Sequence, residues 1–91
     1  MILEIVTPEM TLFKGEVESV AVPGINGQFQ MLDNHAPVVS LLTKGAIKIF
    51  GSVALEESVA DLFTKADGTT NFAITGGVLE MKDNKAIVLA D

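Results

Sequence analysis

Glu16-Val17-Glu18-Ser19-Val20-Ala21-Val22, then Pro23-Gly24-Ile25-Asn26-Gly27, then Gln28-Phe29-Gln30-Met31-Leu32 is the stretch on which the fold turns. Val20 and Val22 recur at a period of two, the spacing that sets alternate side chains on one face of a strand. Val17 slips to the other face, an offset that a β-bulge absorbs. Asn26-Gly27 tolerates the positive φ angles of a tight hairpin, and the extended pattern resumes at Gln28. Residues 16–32 therefore read as two antiparallel strands joined by a short turn.

Working outward, Ile2-Leu3-Glu4-Ile5-Val6 reads as a strand that Thr7-Pro8 breaks, since proline has no amide with which to continue a ladder. Downstream, Asp33-Asn34-His35-Ala36-Pro37 is a loop before the apolar run Val38–Leu42. After a stop at Thr43-Lys44-Gly45, Ala46–Phe50 alternates again, with Ile47 and Ile49 inward and Lys48 outward. Asn71–Thr75, Val78–Lys82 and Lys85–Leu89 complete the set, separated by a bend at Gly76-Gly77 and a hairpin at Asp83-Asn84.

One stretch breaks the rhythm. Leu55, Val59, Leu62 and Phe63 fall at i, i+4, i+7 and i+8 behind Ser52 as a cap, which predicts a short helix near 54–63. The rival reading is a strand that ends at the Asp67-Gly68 turn and pairs with the next one. Short strands between regular turn signals predict an all-β fold, an antiparallel β-sandwich of two sheets, as a single domain over residues 1–91.

Composition narrows the function. The net charge of −6 would be repelled by a nucleic-acid backbone or an anionic lipid surface, so neither is an expected partner. The chain has no cysteine, which excludes disulfides and thiolate metal sites. The N-terminus has neither the basic start nor the long apolar run of a secretion signal, and no stretch is long enough to span a bilayer.

No constellation for catalysis emerges. With one histidine in the chain, His35, a histidine metal cluster cannot form, and no nucleophile accompanies it. Asp33 and His35 are spaced as a base and its orienting partner, but a lone loop histidine more often makes a structural or interface contact. Gly24 and Gly27 lack the spacing of a phosphate cradle and serve as hairpin residues. Glu56, Glu57 and Asp61 read as a solvated face rather than a cation site. The chain is therefore expected to be non-enzymatic, without cofactor or metal.

The order of the segments carries a resemblance. Thr11-Leu12-Phe13-Lys14-Gly15-Glu16-Val17, Val20-Ala21-Val22-Pro23-Gly24, Gly27-Gln28-Phe29 and Asn34-His35-Ala36-Pro37 are followed by Leu42-Thr43-Lys44-Gly45-Ala46-Ile47-Lys48-Ile49, Ile74-Thr75-Gly76-Gly77-Val78-Leu79-Glu80-Met81 and Val88-Leu89-Ala90-Asp91. In that order, across nearly the whole chain, they resemble the epsilon subunit of F-type rotary ATP synthases.

The resemblance implies a structural rotor subunit at the cytoplasmic face of the bacterial inner membrane, held there peripherally through its complex. It implies packing against the gamma subunit and the membrane c-ring, so that proton-driven rotation reaches the catalytic head. Asn26, Gly27, Gln28 and Phe29 would face the ring, while His35, Ala36, Pro37 and Val38 would lie near gamma. Gln28 stands where many members carry an acidic residue and Gln30 where many carry glycine, so a salt bridge to the ring is not implied. Longer members continue into two regulatory helices, to which the family's ATP site belongs; regulatory ATP binding is thus not expected of this chain, which reads as the sandwich alone. Residues 51–70 are longer than in typical members and are expected to protrude from one end. Outside the family, the alternative is a free-standing sandwich adaptor that binds a peptide or small ligand.

Overall fold

The structure, a computed structural model, describes all residues from Met1 to Asp91. Its strands are β1 (Ile2–Val6), β2 (Thr11–Glu16), β3 (Ser19–Gly24), β4 (Gly27–Met31), β5 (Val38–Leu42), β6 (Gly45–Phe50), β7 (Phe63–Ala66), β8 (Thr69–Ile74), β9 (Gly77–Lys82) and β10 (Lys85–Ala90). One layer has the order β2-β1-β10-β9-β5 and the other β4-β3-β6-β8-β7. They are one ladder curled over, continuous through the pair Gly24 and Leu42. All pairings are antiparallel except that of β1 with β10. The expected β-sandwich is the observed fold.

Period-two alternation decides what lies between the layers. Leu3 and Ile5 of β1, Leu79 and Met81 of β9, and Ala86 and Val88 of β10 point inward from the first layer, against Val20, Val22, Met31, Ile47 and Ile49 of the second. Each large aliphatic side chain so removed from water contributes about 1.5–3 kcal/mol. With neither Trp nor Tyr in the chain, aliphatic packing carries the interior. β3 is buried along its whole length, because its outward residues Ser19, Ala21 and Pro23 are small enough to be covered by the neighbouring strands.

Four local features differ from the sequence-based expectation. Residues 16–22 are not one bulged strand. β2 ends at Glu16 and β3 begins at Ser19, so the parity slip at Val17 marks the corner where the chain crosses between layers. Val17 is buried there and its N–H donates to the Met1 carbonyl at 2.9 Å. At the Ile25-Asn26 turn the positive φ falls on Gly27, at 119°, and not on Asn26.

The helix expected near 54–63 is absent. A 3-10 turn at Ala60–Leu62 is its only helical element, and β7 follows it as the rival reading had it, pairing with β8 through a turn at Asp67-Gly68. An isolated helix this short is marginal in water, and here the apolar residues find partners without one. Val53 and Leu55 pack on the core, Val59 is buried, and Phe63 meets Phe72 with ring centroids 5.2 Å apart. Ala54 and Glu56 lie beside Thr11–Lys14 of β2. Residues 51–62 thus form a strap over the side of the sandwich where β2 and β7 end the layers, instead of protruding.

Candidate functional site

Each surface that the sequence singles out is held by a different end of one strand. β4 starts at the Ile25-Asn26 hairpin and ends at the loop Leu32–Pro37. Around the hairpin, the Ile25 N–H donates to the Leu41 carbonyl (3.3 Å) and the Thr43 N–H to that of Pro23 (2.8 Å). At the far end the loop is tied to the start of β1 and the β9–β10 turn. Asn26, Gly27, Gln28 and Phe29 therefore belong to one end and flank of the sandwich, and His35, Ala36 and Pro37 to the opposite end.

The ties at the loop are polar. The Met1 ammonium donates to Asp33 Oδ1 at 2.6 Å and to the Val17 carbonyl at 3.2 Å. Asn84 Nδ2 donates to the same Asp33 oxygen (3.3 Å), while Asn84 Oδ1 accepts from the Asn34 N–H (2.7 Å). Asn34 takes a positive φ of 62°, which asparagine tolerates. His35 is exposed, with its Nδ1 2.7 Å from the Ala36 carbonyl and its N–H donating to the Leu32 carbonyl. Asp33 and His35 thus spend their polar atoms on different partners, and no base with an orienting carboxylate is built.

Hydrogen bonds from the ammonium and from Asn84, and then the ammonium's charge, hold the Asp33 carboxyl below its ordinary value of 3.8. A depressed folded value means the contribution is in place above the unfolded value and fades as pH falls through the folded one. We expect thermal melts of the wild type and Asp33→Asn to differ at neutral pH and to converge below about pH 3.8. Melting curves that stay equally far apart at pH 2 and pH 6 would remove Asp33 from the tie.

Val38 turns inward and packs on the core, whereas its neighbour Val39 is 69% exposed. Val39 and Leu41 are therefore the side chains that this strand turns outward. Sequence reasoning also missed a row of outward apolar residues across the first layer. Register sets Leu41 beside Val78, Val78 beside Leu89, and Leu89 beside Val6, with Leu41 58% and Leu89 52% exposed. Clustered apolar surface of this kind marks interaction sites more than scattered single residues do. Its signal was in the sequence, as apolar residues at the outward positions of alternating strands, but only the register makes it a row.

The space between the layers is filled by side chains of the core. The hollow at Gly51, Ser52, Val53 and Lys65–Thr70, about 350 Å³, is open to solvent. No three His, Cys, Asp or Glu residues stand close enough to hold a metal. No helix is long and apolar enough to cross a membrane.

Comparison with known proteins gives a consistent picture. The family model for the ATP synthase delta/epsilon chain β-sandwich domain matches residues 1–91. The chain is 38% identical over 89 residues to the ATP synthase epsilon chain of Chlorobaculum tepidum, covering 98% of this chain and 86% of that one. It is 36% identical over 89 residues to the epsilon chain of Leptospira borgpetersenii, again covering 98% of this chain but only 59% of the other. Among solved structures, a chain in the central stalk/c-ring structure of the Tetrahymena thermophila mitochondrial ATP synthase superposes with a TM-score of 0.71 at 16% identity, over 98% of this chain and 61% of that one. A chain in the OSCP/F1/c-ring structure of the Euglena gracilis mitochondrial ATP synthase gives 0.73 at 18%, over 99% and 49%. At such identities the superpositions speak for the fold alone.

Proposed function

The chain belongs to the family of ATP synthase delta/epsilon chains by its β-sandwich domain, and on that premise we propose that it is a non-catalytic subunit of the rotor. In this reading it joins the gamma subunit of the central stalk to the c-ring and passes ring rotation, driven by proton flow, to the catalytic head. It sits peripherally at the cytoplasmic face of the bacterial inner membrane, through the complex alone. The family match over the whole chain is the observation that carries the reading. A rigid coupler fits it physically: torque spent on bending a joint is not delivered, and a close-packed two-layer block bends little.

Placing the two candidate surfaces at opposite ends of β4 supports a division of labour. The Asn26–Phe29 end meets the ring, and the His35–Pro37 end, with Val38 as its core anchor and Val39 beside it, meets gamma. A stable attachment there would bury on the order of 1,000–2,000 Å² with a few residues dominating. The double variant His35→Glu/Val39→Glu is expected to keep the melting midpoint of the free domain within a few degrees, since both side chains are exposed. Its recovery with tagged gamma should fall by about tenfold or more. Recovery equal to wild type would take gamma away from that end, and failure of the wild type to be retained would defeat the rotor reading itself.

A further inference from the structure

The sides of the sandwich differ in how their edges are guarded. On one, β2 carries Lys14 and Glu16 and a register shift opposite Ile5 and Val6, β7 is four residues long with Lys65, and the strap lies alongside. Charges, irregular register and short length are the devices that keep an edge strand from pairing with another chain. On the other side β4 reads Gly-Gln-Phe-Gln-Met, with regular register, no charge, no proline and no covering segment. Its only neighbour is β3.

The free edge has defined donors. The Pro23 carbonyl accepts from the Thr43 N–H on the side of β3 away from β4, so Gln28, which lies across from Pro23, turns its own N–H and carbonyl away from β3. Alternation extends this to Gln30. The exposed pair Gln28 and Gln30 therefore presents two amides and two carbonyls outward, along the flank that runs from the hairpin end, to which Gln28 belongs, toward the opposite end.

We infer that the outer edge of β4 receives an extended strand from the central-stalk partner, which continues the second layer by one strand. The inference rests on the rotor reading above and deepens it. The incoming segment is poor in acidic residues, because it approaches an uncharged strand on a domain of net charge −6. Main-chain hydrogen bonds supply the affinity, as in other strand additions.

The test removes one outward donor. In the chain co-expressed with tagged gamma, Gln30→Pro deletes an N–H that the β3 ladder does not use, a position where an edge strand accepts proline. Both Gln30 variants lose the bond that Gln30 Nε2 donates to Ser19 Oγ (2.8 Å), so the expected result is a melting midpoint for Gln30→Pro equal to that of Gln30→Ala, with about tenfold lower recovery, while Gln30→Ala, which keeps the N–H, is recovered nearly as well as wild type. Recovery of Gln30→Pro at the wild-type level overturns the inference. If that variant melts much earlier than wild type, amide exchange in the wild-type complex decides: slowed exchange at Gln28 and Gln30 supports strand addition, and unchanged exchange overturns it. Slowing at the same amides in the chain alone at high concentration would make a second copy the occupant and overturn the choice made here. A wild-type chain that gamma does not retain sinks the rotor reading, and this occupant with it.

Discussion

Gly77→Ala is expected to lose roughly 3 kcal/mol or more of folding free energy, read as a lowered urea midpoint with little change in slope. Gly77 opens β9 and is paired to Leu42 on one side and to Ala90 on the other, at the corner where the layers meet. A Cβ there would press on the Leu89 carbonyl oxygen and stand 3.1 Å from the Ala90 Cα. Both are backbone atoms of a paired strand, so no rotamer change relieves the contact and the ladder itself must shift. Gly68→Ala is the contrast, with φ +77° but nothing within 4 Å of an added Cβ. It should cost only about 1–2 kcal/mol, from left-handed backbone strain. Equal losses for the two would mean that the β9–β10 corner is looser than its geometry implies.

Val59→Asp is the second large effect. Val59 is 3% exposed and anchors the strap, so a carboxylate there must either be buried without a partner or pull residues 51–62 off the β2 side. The expected loss is about 3 kcal/mol, together with faster proteolytic cutting between Ser52 and Leu62. Leu62→Asp, three residues on and 54% exposed, should stay within about half a kcal/mol of wild type. Protease resistance unchanged in Val59→Asp would contradict the strap.

The same segment shows where sequence reading reaches its limit. Leu55, Val59 and Phe63 do turn inward at every fourth residue, as the helical spacing predicts, yet Leu62 faces out and the backbone is irregular. Periodicity reports which residues must be buried, not the conformation that buries them, and here the open side of the sandwich decides. Strands with strict alternation were legible, as at Ile47 and Ile49. β2 is not legible, because Leu12 and Phe13 are buried in succession and hide its period. For the candidate surfaces, turn chemistry marks the hairpin, one residue late at Asn26-Gly27, and the loop around His35. Their placement at opposite ends, the inward turn of Val38, and the bare edge of β4 depend on neighbours far along the chain and on no local signal.

The parallel pair of β1 and β10 sets an order on how the molecule can be made. Ile2–Val6 leaves the ribosome long before its partner Lys85–Ala90. Until then the inward faces of Leu3 and Ile5 have lost half their cover, and the first layer stays in two pieces. The closing step joins residues more than eighty positions apart, a loop of the kind that slows folding and exposes unfinished edges to aggregation. A nascent chain stalled before β10 should therefore be protease-sensitive and dependent on chaperones, and should become resistant only when β10 is released.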